Sequence, residues 1–217
     1  MSASVVAIPR TDPASVARYA LQLAAVQAVA DTGGEIGIAF LGDSLTEGWV
    51  WHDTWTTVWR PRHALNFGIG GERTGHLLFR LRNGLLDGVR LRVVVQLIGV
   101  NDLWSGAAPE PTIAGIDACL AEVRARQPAA RVLCLGVLPT GGECFGFDPQ
   151  VRAVNAALPA VAARHGAEFR DLRPAFPRDE RGACAAHMSD GVHLSADGYA
   201  VLSRELLAWF QPPRFAE

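Results

Sequence analysis

The chain has 217 residues, a length that fits one domain. Hydrophobic residues make up 49% and charged residues 19% of it, values that allow a core and exclude a disordered chain. The formal net charge of −2 gives no general attraction for polyanions. Arginines cluster between positions 73 and 92, but acidic residues lie among them, and we interpret Arg80 and Arg82 as a solvated helix face. No nucleic-acid partner is expected.

The first predicted element is an amphipathic helix over about residues 14–30, in a segment (1–33) that packs on the rest of the domain. Ala28-Val29-Ala30 is similar to a signal cleavage site, but Gln22 and Gln27 interrupt the apolar run before it. No stretch approaches the roughly 20 apolar residues of a membrane span. The sequence therefore predicts a cytoplasmic protein without stable membrane insertion.

Strand and helix patterns alternate along the remaining chain. Strands are predicted at about 36–41, 64–67, 92–98, 131–137 and 167–172, and helices at about 73–83, 112–127, 149–165 and 196–210, the last capped by Ser195. This alternation implies right-handed crossovers between parallel strands. We predict an α/β fold with one domain over residues 1–217, a three-layer α/β/α sandwich around a central, mostly parallel five-stranded sheet.

The first strand ends at Gly42-Asp43-Ser44, where a hydroxyl follows an apolar run. Ligand sites of such sheets lie at the carboxyl ends of the strands, so Ser44 is a candidate nucleophile. Ser44 and Glu47 also have the spacing of a capping box, which makes a purely structural role the alternative.

Asp190 and His193 stand three residues apart near the end of the chain. A carboxylate can orient an imidazole and stabilise its charged form when the imidazole takes a proton from a serine. The alternative is a polar turn in which the histidine only caps the segment that follows.

Two further loops follow strands at the same edge. Residues 66–71 read Asn-Phe-Gly-Ile-Gly-Gly, and residues 99–102 read Gly-Val-Asn-Asp. A backbone amide in the first loop and the Asn101 side chain in the second could donate hydrogen bonds to an oxyanion. A tight turn and an Asx turn are the respective alternatives.

The order of these four blocks resembles the SGNH (GDSL-type) serine esterase/lipase family. The family residues match Ser44, Gly71, Asn101 and His193, with Asp190 as the acid three positions before the histidine. Gly71 is chosen over Gly70 because the family glycine lies five residues after the asparagine at position 66. The stretch 63–71, and the residues at 73–74 and 80–84, resemble the branch of the catalytic subunits of brain-type platelet-activating-factor acetylhydrolase.

This resemblance implies a flavodoxin-like hydrolase fold and ester hydrolysis through an acyl-enzyme on Ser44. His193 would act as the base, and the amides of Ser44 and Gly71 with the Asn101 side chain would form the oxyanion hole. It implies short-chain, acetyl esters as substrates, no cofactor, no metal, and a homodimer as partner arrangement. A lysophospholipase, a thioesterase or an acyltransferase would use the same residues.

Two non-enzymatic alternatives also remain at this point. Residues 42–46 could cradle a phosphate in a flavodoxin-like binding protein, or the fold could serve as a scaffold. Apolar residues beside the blocks could close a small acyl pocket or simply pack the sheet edge: Leu45, Val100 and Val192. Tryptophans could form a platform for a sugar or aromatic leaving group, or serve as core anchors: Trp49, Trp51 and Trp104.

The cysteines suggest no metal site, because none lies in a Cys-x-x-Cys pair or near a histidine cluster. We interpret all four as buried free thiols: Cys119, Cys134, Cys144 and Cys184. A disulfide between Cys144 and Cys184 is the alternative left open.

Overall fold

Five parallel strands form the centre of the fold, in the order β2-β1-β3-β4-β5. The computed structural model describes residues 5–141, 146–179, 184, 186–188 and 190–210. The strands are β1 Glu35–Gly42, β2 Ala64–Gly68, β3 Arg90–Leu97, β4 Arg131–Leu135 and β5 Glu168–Arg170. All four pairings are parallel. The predicted α/β class and five-stranded parallel sheet are confirmed.

The long helices agree with the predicted positions within a few residues. They are α1 Pro13–Asp31, α3 Thr74–Arg82, α5 Pro109–Arg126, α6 Asp148–Arg164 and α7 Ala196–Phe210. Asp12 caps α1 by accepting from the amide of Ser15, and the hydroxyl of Ser195 accepts from the amide of Gly198 at the start of α7. The predicted cap of the last helix is therefore confirmed.

Helices cover both faces of the sheet, as the crossover rule requires. The chain moves in one direction across the sheet from β2 to β5, so the connecting helices α3, α5 and α6 lie side by side on one face. The first connection runs the opposite way and, with α7, covers the other face. There the indole of Trp59 donates to the hydroxyl of Ser203 at 3.1 Å.

Short helical segments also occur, and of these only the helix at Ser44 has a signal in the sequence, the spacing of a capping box. They are α2 Ser44–Glu47, α4 Val100–Trp104, the 3-10 turns Gly48–Trp51, Arg60–Arg62 and Arg173–Ala175, and a π-helical turn at Trp55–Trp59. None is long enough for a helical periodicity to be visible. Packing of aromatic rings determines the conformation of the stretch after α2. The ring centre of Phe40 lies within 6 Å of the ring centres of Trp49, Trp55 and Trp59.

The interpretation of Arg80 as part of a solvated helix face is wrong. Its side chain is only 3% exposed, and its guanidinium donates to both carboxylate oxygens of the buried Glu72 and to Gln22 of α1. A carboxylate and an amide oxygen replace the water that a buried arginine loses. Arg82, on the other side of α3, is 44% exposed and pairs with Glu122 as expected for a surface residue.

The cysteines in the described part of the chain are free thiols. Cys119, Cys134 and Cys184 are buried thiols, and Cys144 lies outside the described residues. Among the residues described, no cluster of three or more His, Cys, Asp or Glu side chains could hold a metal ion. In the same part of the chain, no helix combines the length and apolarity needed to cross a membrane.

Candidate active site

Three neighbouring strands end at the same level of the sheet. In the registers of β1 with its two neighbours, Gly42 lies opposite Gly68 of β2 and opposite Leu97 of β3. The loops that follow these strands therefore begin side by side. They carry Ser44, Gly71 and Asn101, three of the five residues selected from the sequence.

Ser44 is the first residue of α2 and does not cap it. The cap is Asp43, whose side-chain oxygen accepts from the amide of Leu45 at 3.0 Å. Gly42 allows the turn, since a Cβ there would lie 2.2 Å from the hydroxyl of Thr46 and 2.3 Å from the carbonyl of Leu97. The Ser44 hydroxyl is thus free to make a contact elsewhere.

That contact is with His193, which is 149 residues away in the chain. Ser44 Oγ lies 2.9 Å from His193 Nε2, and His193 Nδ1 lies 2.6 Å from a carboxylate oxygen of Asp190. The other oxygen of Asp190 accepts from the backbone amides of Val192 and His193 at 2.9 and 2.7 Å. The polar turn that was the alternative is present, and it does not exclude the contact between the two side chains. Its backbone amides hold the Asp190 carboxylate against the His193 imidazole.

The charge of Asp190 decides which imidazole nitrogen carries the proton. Desolvation favours a higher pKa for this carboxyl, but the hydrogen bonds from His193 and Val192 outweigh it and hold the pKa at about 2. An ionised carboxylate only accepts, so in neutral His193 the proton is on Nδ1. Nε2 then accepts a hydrogen bond from the Ser44 hydroxyl.

The loop after β2 lies directly against Ser44. A Cβ built on Gly70 would be 3.9 Å from the Cβ of Ser44. Gly71 has a φ of +72°, a conformation that favours glycine. Within the described residues, the amides of Ser44 and Gly71 donate no hydrogen bond.

Asn101 reaches the same loop from α4. Its side-chain nitrogen donates to the carbonyl of Glu72, the residue after Gly71, at 3.0 Å. No hydrogen bond between described residues joins Asn101 or Gly71 directly to Ser44. Ser44, His193 and Asp190 thus form one hydrogen-bonded chain. Asn101 is bonded to the loop that contains Gly71, and this loop meets the chain where Gly70 lies against Ser44.

Two neighbours of the site were not recognised as such in the sequence. Glu47, read as the partner of Ser44 in a capping box, instead accepts from the amide of Gly70 and pairs with Arg18 of α1 at 3.0 Å. Arg18 also donates to the carbonyl of Gly68 at 2.6 Å. These contacts cannot be predicted from a local sequence pattern, because each joins residues that are more than 20 positions apart.

Asp43 is a buried carboxyl directly before the candidate nucleophile. It is 1% exposed, and its second oxygen has no hydrogen-bond partner among the described residues. Burial raises the pKa of Asp43 to about 7, although the hydrogen bond from Leu45 acts in the opposite direction. This carboxyl lies inside the protein and does not line the cavity at Ser44.

A cavity of about 200 Å³ opens at Ser44 and His193. Trp51, His52 and Tyr199 are among its lining residues. Trp51 is 74% exposed and available to a ligand, whereas Trp49 is 2% exposed and packs in the core. The platform hypothesis is therefore wrong for Trp49.

Neither Trp104 nor the proposed acyl-pocket residues line this cavity. Trp104 is exposed and packs against Phe147 at 5.6 Å between ring centres, outside the cavity. The proposed acyl-pocket residues do not line the cavity either: Leu45 and Val100 are buried in the core, and Val192 packs against it. For Leu45 and Val100 the alternative, packing of the sheet edge, agrees with the structure.

The sequence is similar to those of known hydrolases. The model of the GDSL-like lipase/acylhydrolase family matches residues 40–201. Platelet-activating factor acetylhydrolase IB subunit alpha1 of Bos taurus is 39% identical over 170 residues, covering 78% of this chain and 72% of that protein.

Solved structures of hydrolases have the same fold. A GDSL-like lipase from Bacteroides thetaiotaomicron superposes with a TM-score of 0.74 at 23% identity, covering 90% of this chain and 97% of that one. For a carbohydrate acetylesterase from Sinorhizobium meliloti the TM-score is 0.62 at 19% identity, with coverage of 81% and 100%. Sequence match and fold agree, and the chain belongs to the GDSL-like lipase/acylhydrolase family, as a carboxylic ester hydrolase.

Proposed function

We propose that the protein hydrolyses short-chain carboxylic esters, acetyl esters in particular, through an acyl-enzyme on Ser44. The observation that carries this proposal is the chain of hydrogen bonds from Ser44 to His193 and from His193 to Asp190, at 2.9 and 2.6 Å. Nucleophile and base within hydrogen-bonding distance, with the base oriented by a carboxylate, are the arrangement that activates a serine.

In the first half of the reaction, Ser44 Oγ attacks the ester carbonyl and its proton passes to His193 Nε2. Asp190 stabilises the imidazolium that forms, since its pKa of about 2 leaves it ionised. The tetrahedral intermediate collapses, the bond to the alcohol oxygen breaks, and His193 returns the proton to the leaving alcohol. In the second half, water repeats these steps on the acyl-enzyme and releases the acid.

The oxyanion is held by the amides of Ser44 and Gly71 and by the side-chain amide of Asn101. In support, neither backbone amide donates to another described residue, and the Asn101 side chain bonds to the loop that contains Gly71. Donors that are fixed before the reaction stabilise the charge that develops in the transition state without a cost of reorganisation.

The preference for acetyl groups is supported by the small cavity at Ser44 and by two relatives. One is named as a subunit of platelet-activating factor acetylhydrolase, and the other is described as a carbohydrate acetylesterase. The exposed Trp51 beside the cavity offers an aromatic face for the alcohol part of the substrate. A lysophospholipase, a thioesterase and an acyltransferase would use the same triad, and they differ in the acyl length, the leaving atom and the acceptor.

The test is turnover of p-nitrophenyl acetate by the wild type and by Ser44→Ala, each checked for folding by circular dichroism. We expect turnover that is lost in the folded variant. Equal turnover in both proteins would overturn the mechanism. A parallel assay with p-nitrophenyl octanoate tests the acyl length, and a clear preference for octanoate would overturn the acetyl assignment.

A further inference from the structure

We propose that Arg10 is a positioning residue for this reaction, which acts on the oxyanion donor at Gly71 through the Gly70–Gly71 peptide group. The proposal rests on the proposed function, because it concerns one of the three oxyanion donors. Arg10 lies in the segment before α1, outside the residues 40–201 that the family model matches.

Arg10 contacts the loop at the carbonyl of Gly70. Its Nη1 donates to that oxygen at 3.2 Å, and a Cβ built on Gly71 would lie 3.3 Å from the same nitrogen. The guanidinium is oriented by Asp12, whose carboxylate accepts from Nε at 2.8 Å and lies 2.7 Å from Nη2. The side chain of Arg10 is 27% exposed, so solvent screens this contact only in part.

The geometry of the peptide bond makes this contact relevant to Gly71. The carbonyl of Gly70 and the N–H of Gly71 belong to one planar trans peptide group, and they point in opposite directions. The hydrogen bond from Arg10 to the Gly70 oxygen therefore also fixes the direction in which the Gly71 N–H points. A cationic donor on the oxygen also polarises the peptide, which makes its N–H a stronger donor.

The neighbouring peptide groups of the loop are held by other residues. The amide of Gly70 donates to Glu47, and the carbonyl of Gly68 accepts from Arg18 and Gln22 at 2.6 and 3.1 Å. Within the described residues, Arg10 makes the one side-chain hydrogen bond to the peptide group that contains the Gly71 amide. Removal of Arg10 should therefore affect this donor while the rest of the loop keeps its supports.

The kinetic test compares wild type, Arg10→Ala, Arg10→Lys and the control Arg92→Ala with p-nitrophenyl acetate. Arg92 is an exposed arginine whose partner, Glu35, begins β1 at the opposite end of the sheet. For Arg10→Ala we expect kcat to fall about tenfold with KM within about twofold, a smaller loss than the roughly 10²–10³-fold for removal of a donor itself. Arg10→Lys should recover most of this loss, and Arg92→Ala should behave as wild type.

A trifluoromethyl ketone provides a second measurement, since its adduct with the serine carries the oxyanion. Its inhibition constant should rise in Arg10→Ala about as much as kcat falls, because the oxyanion donors act on the transition state. An unchanged kcat in Arg10→Ala would overturn the proposal. So would a loss that appears in KM alone, or one that Arg10→Lys does not recover.

A third measurement does not depend on turnover. The carbonyl ¹³C signal of Gly70 and the amide ¹⁵N signal of Gly71 should move in Arg10→Ala and stay in place in Arg92→Ala. Unchanged signals would overturn the role of Arg10 even if Ser44 is established as the nucleophile. Changed signals together with equal turnover of wild type and Ser44→Ala would instead contradict the proposed function and leave the contact at Gly70 established.

Discussion

Asn101 has two side-chain N–H groups, and one of them is used inside the protein. It donates to the carbonyl of Glu72 at 3.0 Å, which fixes the amide against the loop that contains Gly71. The second N–H is then available to a substrate oxygen. An amide that is already held in place acts on the developing charge without further ordering.

Replacing Asn101 by alanine should therefore lower kcat far more than it changes KM. The expected loss in kcat is roughly 10²–10³-fold, the usual effect of removing one oxyanion donor. Steady-state kinetics with p-nitrophenyl acetate measure both parameters. A variant that binds substrate poorly but keeps its kcat would place Asn101 in ground-state binding and contradict this role.

Trp51 is a second residue whose position suggests a direct contact with substrate. It is 74% exposed and lines the cavity at Ser44, so its burial contributes little to the stability of the free protein. Trp51→Ala should raise KM for aryl or sugar acetates several-fold, because a stacked ring contributes about 0.5–1.5 kcal/mol. KM for ethyl acetate, which has no ring in its alcohol, serves as the comparison and should change little. Equal effects on both substrates would argue against stacking.

Some site residues could be selected from the sequence because their spacing is local. Asp190 and His193 are three residues apart, and the turn between them places carboxylate and imidazole in contact. Ser44 could be placed at the sheet edge because an apolar strand precedes it. Glu47, Arg10 and the burial of Arg80 could not be predicted, since each depends on a partner that only the folded chain brings near.

At the scale of the elements, a buried ion pair joins α3 to the loop between β2 and α3. The arginine of this pair also bonds to α1. Arg80 of α3 donates to Glu72 of the loop and to Gln22 of α1, and both charged side chains are at most 3% exposed. A buried charge that loses its partner is costly, whereas an apolar pair of similar volume often costs little. This pair fixes Glu72 of the loop against α3.

Glu72→Ala should lower the free energy of unfolding by about 3–5 kcal/mol, because it leaves Arg80 buried without its counter-charge. The double variant with Arg80→Met should recover a large part of the loss. Glu122→Ala is the matched control, since its partners Arg82 and Arg126 are 44% and 24% exposed and pairs at the surface contribute about 0–1 kcal/mol. Urea unfolding curves measure all three, and similar losses for Glu72→Ala and Glu122→Ala would contradict the argument.

The long strands and helices could be predicted because each repeats a pattern over many residues. The three consecutive valines of β3 and the alternation of strands with helices indicate a parallel sheet without any tertiary information. The turns between residues 44 and 62 could not be predicted in this way. Their conformation follows from packing of tryptophan rings against Phe40, a tertiary effect that overrides local preference.

At the scale of the whole molecule, the site exists only when the sheet is complete. The ends of β1, β2 and β3 must be in register before the loops that carry Ser44, Gly71 and Asn101 can meet. His193, which lies 149 residues after Ser44 in the turn before α7, must also be brought into contact with it. Activity should therefore be lost together with the global fold, and not in a separate earlier step.

The stability of the whole molecule should also depend on the ionisation of Asp43. Burial raises the pKa of this carboxyl from 3.8 to about 7, so the folded protein binds a proton more tightly than the unfolded chain does. Between about pH 4 and pH 7 the folded state is thus the more protonated one at this site. It follows that the contribution of Asp43 to stability falls as the pH rises through this interval, and it stays at its lowest value above pH 7.

Asp43→Asn isolates this effect, because the asparagine oxygen can still accept from the amide of Leu45 while the group no longer titrates. The free energy of unfolding of wild type minus that of Asp43→Asn should decrease between pH 4 and pH 7, by at most about 1.4 kcal/mol per pH unit. Titrating groups that do not interact with Asp43, such as Asp190 with its pKa of about 2, contribute equally to both proteins and cancel in the difference. Urea unfolding of the two proteins at several pH values measures it. A difference that is constant across this interval, or one that grows with pH, would show that Asp43 does not hold its proton in the folded state.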